Sequence, residues 1–188
     1  MDPLTFKLQV KAVGKWASES KVEALHLGIM RPRAVITYVG RIPKRTYDLR
    51  ITEWAGIHLY SLRFIALLQA CSFTGFRPFE ASILDDDNEE VKRLPCCGLS
   101  VLGRCGPIDE SLTRRVWVKR KALPDGGYWE GRGTYFRPDS WDGSDIFCPP
   151  ETRITFVTRK VKDAVESARM TNVCFGSIES IITFPPSE

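Results

Sequence analysis

The chain is short of nearly everything that announces a chemistry. Its 188 residues include two histidines, His26 and His58, so a Ser–His arrangement has little to draw on. Ser144, in WDGSDIF, lacks the G-x-S-x-G elbow that exposes a nucleophile. DGGYWEGRG is rich in glycine, but neither a following helix nor a P-loop lysine is in place to make it a phosphate loop. No apolar run approaches the roughly 18–20 residues that cross a bilayer. The start, MDPLTFKLQVKAVGKW, has no apolar core behind a basic head. A cytoplasmic protein without a membrane partner is expected. Charge is not concentrated either: 27 Lys and Arg are mixed along the chain with 23 acids. Nucleic-acid binders gather cations on one face, so this mixture reads as an ordinary solvated surface.

Disulfides are not needed, because 43% apolar residues suffice to build a core. Cys71 and Cys174 stand among apolar neighbours and read as small core hydrophobes. Cys96, Cys97, Cys105 and Cys148 are the thiols to test as zinc ligands. A zinc knuckle presents two cysteines about two to four residues apart from one tight turn. PCCGLSVLGRCG offers an adjacent pair, a third cysteine eight residues on, and no histidine nearby. Free buried or half-buried thiols are the simpler reading, and neither a cofactor nor a small-molecule substrate is expected.

What the chain does contain is a repeat. YSLRFIALLQACSFTGF (60–76) aligns without a gap on VTRKVKDAVESARMTNV (157–173), 97 positions later. Phe64, Leu67, Leu68 and Cys71 match Val161, Ala164, Val165 and Ala168, the i, i+3, i+4, i+7 stripe of an amphipathic helix. Ser61 and Thr158 are both N-cap types, and Gly75 and Asn172 both tolerate the left-handed conformation that ends a helix. GIHLY and RITFV lead into the two helices; FRPFEASI and VCFGSIESI follow them. The pattern predicts strand, capped helix, strand, used twice.

Elsewhere, 5–13 reads as a strand and 17–28 as a short helix capped by Ser18 and closed by Gly28. AVITYVG and TYDLRITEW read as a hairpin across RIPKR, DDDNEE as an exposed loop, and GLSVLGRCG and RRVWVKRKAL as half-buried strands. Pro124 to Pro150 reads as long structured loops. The expected fold is α+β: one domain over 1–188, with both helices packed on a common mixed or antiparallel sheet. Its parts are a β-rich segment (1–56), the first unit (57–84), a strand and aromatic-loop region (91–150) and the second unit (153–184).

The third quarter holds Trp117, Tyr128, Trp129, Tyr135, Phe136, Trp141 and Phe147 among turn residues. Some must pack inward. Those left on loops beside Arg132 and Arg137 have the composition of protein-binding hot spots. Asp142 and Asp145 suit a tight turn whose carboxylates accept backbone amides.

FTGFRPFEASI, GRCGPID and WDGSDIFCPPETRITFVTRKVKDAVESARMTNV together resemble bacterial immunity-type proteins encoded beside polymorphic toxins, among them the double-CxxCG immunity proteins. Trp141–Phe147, 156–164 and 171–175 stand at the places of that family's W-D-G-S-D-F, FVT and TNV elements. The paired CxxC spacing is absent, which removes the family's zinc signature from this member. The resemblance implies a protein that neutralises a cognate toxin by direct contact and carries no catalytic residues. Candidate contacts are Trp129, Arg132, Arg137, Trp141, Asp142 and Asp145, with the acidic run Asp85, Asp86, Asp87, Glu89 and Glu90. Two alternatives from other classes stay open: a small metal-dependent or hydrolytic enzyme built on Asp142, Asp145 and His58, and a nucleic-acid module using N-terminal Lys and Arg.

Overall fold

The computed structural model describes residues 19–39, 47–52, 58–84, 93–120, 126–150 and 152–183. In chain order its elements are α1 (Glu19–His26), β1 (Ile36–Val39), β2 (Leu49–Ile51), β3 (His58–Tyr60), α2 (Leu62–Ala70), β4 (Phe76–Leu84) and β5 (Arg93–Val101). There follow β6 (Gly103–Arg104), β7 (Arg114–Lys119), β8 (Gly127–Arg132), β9 (Ile146–Cys148), β10 (Phe156–Val157), α3 (Arg159–Ser167) and β11 (Ile182–Thr183). They form a mixed five-stranded sheet, β1-β4-β5-β3-β2, and two three-stranded sheets, β10-β9-β6 and β11-β8-β7. This is the expected α+β architecture. No helix among the described residues is long and apolar enough to cross a membrane.

The long β4–β5 pair is the spine, with nine consecutive partners from Phe76↔Val101 to Leu84↔Arg93. Both strands carry a proline, which lacks the amide a ladder needs. Pro78 lies before the stretch of β4 that β1 pairs, and Pro95 beyond the stretch of β5 that β3 pairs. Each therefore sits where its strand is locally an edge. Alternation sends Phe79, Ala81, Ile83 and Cys96 to one face, where Leu25 of α1, Leu59 and Tyr38 join them. Leu99 and Val101 point to the other face and meet Phe64, Ile65 and Leu68 of α2 and Val161 and Val165 of α3 in a second core. Both helices thus share one core, as their apolar stripes predict. A third cluster gathers Cys105, Phe147 and Phe156, with Phe136 and Ile181 against it.

Several expectations are corrected. β1 and β2 do not form a hairpin: β1 runs parallel to β4, while β2 lies on the opposite edge beside β3. The region read as loops, 124–150, contains β8 and β9. Cys71 and Cys174 are exposed rather than core. And the strand–helix–strand unit is not what repeats, because 173–181 is irregular with one 3-10 turn at Ile178–Ser180. That segment instead runs beside β8, where Gly133 donates to Ile181 O (3.0 Å) and Thr134 to Ile178 O (2.8 Å). The strand read over 5–13, the Ser18 cap and the DDDNEE loop lie outside the described residues.

What does repeat, at the same 97-residue offset, is a hairpin, a helix and its exit. β2 pairs β3 through Leu49↔Tyr60, and β9 pairs β10 through Ile146↔Val157. Both helices close in a Schellman motif. Phe73 N donates to Leu68 O and Ser72 N to Gln69 O; Met170 N donates to Val165 O and Arg169 N to Glu166 O. The left-handed residues that stop the helices are therefore Ser72 (φ 55°) and Arg169 (φ 50°), not Gly75 and Asn172 three positions on. Ser61 caps α2 by accepting from Phe64 N at 3.0 Å, whereas the Thr158 hydroxyl makes no cap bond.

The two copies are locked to each other by a reciprocal exchange. Asp48, ahead of β2, accepts from Ser61 Oγ (2.7 Å) in its own copy and from Thr171 N (2.8 Å) and Thr171 Oγ1 (3.0 Å) in the other. Asp145, ahead of β9, accepts from Thr158 Oγ1 (3.1 Å) in its own copy and from Thr74 N and Thr74 Oγ1 (both 3.1 Å) in the other. Each aspartate amide returns a bond to the partner threonine, Asp48 N to Thr171 Oγ1 at 3.0 Å and Asp145 N to Thr74 Oγ1 at 3.2 Å. Arg63 fastens the same junction by donating to Ala168 O at 2.9 Å, one of the carbonyls α3 leaves open at its C-terminus.

Candidate partner-binding surface

The β7–β8 ribbon carries the most unusual surface of the described chain. In RRVWVK (114–119) burial alternates from Arg115 onward, and in GYWEGR (127–132) Tyr128 and Glu130 look inward while Trp129 is exposed on the other face. On the inward face Glu130 is buried and accepts from Arg132 Nε at 2.9 Å and from the Tyr128 hydroxyl at 3.3 Å. The Arg120 guanidinium stands 5.7 Å from the Tyr128 ring centre. The outward face carries Arg115, Trp117 and Lys119 on β7, set against Gly131, Trp129 and Gly127 on β8. Trp117 lies over Gly127: a Cβ at that glycine would come within 2.8 Å of the indole. The two tryptophans are direct cross-strand partners, with ring centres 5.3 Å apart and planes at 68°. They remain 39% and 51% exposed. Arg115 and Lys119, both exposed, flank them.

The predicted contact residues are distributed unevenly about this surface. Trp129 is at its centre. Arg132 ends β8 but is tied to Glu130, and Arg137 pairs with Asp139 at 2.9 Å in full view of solvent. Trp141 is partly exposed; its indole N–H donates to Ser144 O at 3.0 Å and its ring lies 5.3 Å from that of Phe147. Phe147 and Phe136 pack together and with Phe156, so the aromatics divide between core and surface. Asp142 and Asp145 face turns. Asp142 accepts from Arg104 N (2.7 Å), Ser144 N (3.0 Å) and the Ser144 hydroxyl, and Asp145 belongs to the lock. Burial alone would raise the Asp142 carboxyl, but the bonds from Ser144 and Arg104 outweigh it and hold it below the usual range. The acidic run 85–90 lies outside the described residues. Trp117, Arg115 and Lys119 were missing from the predicted contacts. Their signal was the tryptophan at the centre of each alternating strand, visible only once the register is known.

Among the described residues no group of three or more His, Cys, Asp or Glu is placed to hold a metal ion. Cys96 and Cys97 follow one another on β5 and so face opposite sides of the sheet. Burial pushes the Cys96 thiol up to about 12 and the Cys105 thiol up to about 11, and it raises Cys97 and Cys148 as well. Cys96, Cys105 and Cys148 are buried and Cys97 is half-buried. His58, on β3, packs edge-on against Tyr60, and burial lowers its pKa. No protein-family model matches the chain, and a search of curated proteins returns no match.

Proposed function

We propose that the protein is an immunity-type binding protein, which neutralises a cognate bacterial toxin in the cytoplasm by direct contact and without chemistry of its own. The observation that carries this reading is the exposed Trp117–Trp129 pair between Arg115 and Lys119. Tryptophan and arginine are the residues in which interface energy concentrates. An aromatic centre with a cationic rim fits a protein surface that is apolar in the middle and acidic around it. Stacking successive bases of a single strand calls for roughly parallel aromatic faces, and rings inclined at 68° offer them poorly. An acid–base pair at Asp142 and Asp145 is disfavoured because their carboxylates are engaged by Thr74, Thr158, Ser144 and Arg104.

The test has two steps. Tagged protein is drawn from its native cells at low salt, bound polypeptides are identified, and the candidate toxin domain is titrated with purified wild-type and variant protein. Trp129→Ala and Trp117→Ala are each expected to weaken binding by about 30-fold, the effect of losing a hot spot worth roughly 2 kcal/mol. Co-expression should protect cells from the toxin, and the double variant should not. Affinity within twofold of wild type for both tryptophan variants would sink this placement of the interface.

A further inference from the structure

A second site lies on the far side of the main sheet, where α1 gives way to β1. Helix α1 ends at His26, Gly28 just beyond it has a φ of +70°, and the following RPRA segment (31–34) faces the beginning of β4. Between them is a cleft of about 290 Å³ lined by Arg31, Arg33 and Arg77, with Phe79 and Pro32 supplying apolar wall. That volume is at the small end of ligand pockets.

The three arginines come to the cleft from two segments, and Arg77 is the one bonded in place. Arg77 shares a sheet face with Phe79, and one of its terminal nitrogens donates to Gly28 O at 2.6 Å. That bond satisfies a carbonyl at the end of α1 and orients the fork, whose other donors have no partner among the described residues. Its register partner Ser100 does the same for Leu25 O at 2.6 Å. Arg31 and Arg33 flank Pro32, which fixes its own φ and keeps the preceding residue extended. Both are exposed, and neither makes a hydrogen bond or ion pair with another described residue. Among the described residues one carboxylate borders the cleft, that of Glu80. Strand alternation directs its side chain to the opposite face from Arg77 and Phe79, toward Cys97, whose thiol its charge helps to raise. Among the described residues that line the cleft, three are cations, and the one carboxylate points to the opposite face of the sheet.

We propose that this cleft binds a small phosphate monoester, with Arg31, Arg33 and Arg77 each serving one of its terminal oxygens. The guanidinium fork matches phosphate geometry, and a monoester carries about −1.5 to −2 charge and three strong acceptor oxygens at neutral pH. A carboxylate brings one charge and two oxygens, too few for three forks. The apolar wall at Phe79 and Pro32 then receives the organic part. The site is independent of the Trp117–Trp129 surface and stands whatever partner that surface takes.

The experiment is a calorimetric titration of the full-length protein with phenyl phosphate, inorganic phosphate and benzoate, repeated with Arg31→Gln and Arg33→Gln. Both side chains are exposed, so folding is retained, and circular dichroism checks it. The expected result is saturable one-to-one binding of phenyl phosphate, tighter than benzoate and weakened at least tenfold in each variant. Affinity should also fall between pH 7 and pH 5, as the ester loses its second charge with a pKa near 6. Benzoate binding as tightly as phenyl phosphate would overturn the phosphate assignment. Equal binding by wild type and both variants, an adventitious ion only, would overturn the site, as would no saturable binding at all.

Discussion

The exchange between the two copies can be tested at Asp48, which is 8% exposed. Replacing it with asparagine keeps the shape and removes the charge and one acceptor. If the amide oxygen stays toward Thr171, the new NH2 faces Ser61, whose hydroxyl proton loses its acceptor. If the oxygen turns toward Ser61, the NH2 faces the Thr171 amide, donor against donor. A buried donor left without a partner costs about 1–3 kcal/mol, and hydrogen bonds to a neutral acceptor are weaker than bonds to a carboxylate by roughly 1 kcal/mol. Asp48→Asn should therefore lose about 2–3 kcal/mol, a large share of the roughly 5–15 kcal/mol of a single domain. Asp145→Asn should lose less, about 1 kcal/mol, because Thr74 is exposed and water replaces the missing acceptor. The assay is urea unfolding at pH 7, compared at equal slope. Acid supplies a second reading. Burial by itself would raise the Asp48 carboxyl, but the bonds from Ser61 and Thr171 and the nearby Arg63 charge bring it below its ordinary value. A depressed folded pKa gives stability that is present above the unfolded value, about 4, and is lost as pH falls through the lower folded one. The gap between wild type and Asp48→Asn should accordingly narrow below about pH 4 and stay constant between pH 5 and 8. A loss under about 0.5 kcal/mol, or a larger loss at Asp145, would refute the lock as the bond that joins the copies.

Gly75→Ala should destabilise strongly, by about 3 kcal/mol or more: φ is +85° and a Cβ would stand 2.1 Å from the Ile146 carbonyl oxygen. At the equivalent position Asn172→Gly should cost about 1 kcal/mol, since Asn172 sits at φ 59° and its amide donates to Leu49 O at 2.9 Å; equal thermal shifts for the two variants would contradict this. A thiolate-selective reagent at pH 8 should label Cys71 and Cys174 in the folded protein, and Cys96, Cys105 and Cys148 on the timescale of unfolding; fast labelling at any of these three would contradict their placement. Arg132→Ala strips buried Glu130 of its ion pair and should cost about 1–3 kcal/mol. Arg137→Ala breaks an exposed pair and should stay within about 0.5 kcal/mol, so comparable urea midpoints would count against the inward face of β8 as described.

The helices were legible because their signals are local. A cap residue and an i, i+4 stripe occupy one short window, and Ser61, Phe64 and Leu68, like Val161 and Val165, do in the structure what that window implies. The stop residues were misread because a Schellman turn is closed by its apolar flank. Phe73 and Met170 fold back on the second core and carry Ser72 and Arg169 into a left-handed conformation that neither prefers. Strand pairing was read by proximity, which failed where β1 and β2 took opposite edges of the sheet. The lock was invisible for the same reason, since Asp48 and Thr171 are 123 residues apart and Thr74 and Asp145 are 71 apart. A trace was nonetheless present. The 97-residue offset, carried upstream from the caps, lays YDLRI over SDIFC and sets Asp48 on Asp145.

The position of the lock also bears on where a partner can be read. The three elements behind the resemblance to immunity proteins meet at this junction. Asp145 belongs to the first, Thr158 to the second and Thr171 to the third, and their side chains bond within the fold. Likeness at such positions reports a scaffold. The identity of a partner must be written where side chains are free, and on β7 and β8 that is the outward row of Arg115, Trp117, Lys119 and Trp129. Fold and recognition should then separate under substitution. The pair Arg115→Glu and Lys119→Glu changes a solvated row, so the urea midpoint should correspond to within about 0.5 kcal/mol of wild type. Association with an acidic partner should slow by tenfold or more at low salt, chiefly through the on-rate, and the difference should shrink as salt screens the encounter. An unfolding shift above 1 kcal/mol would make this row structural. A wild-type on-rate insensitive to salt would remove its part in steering.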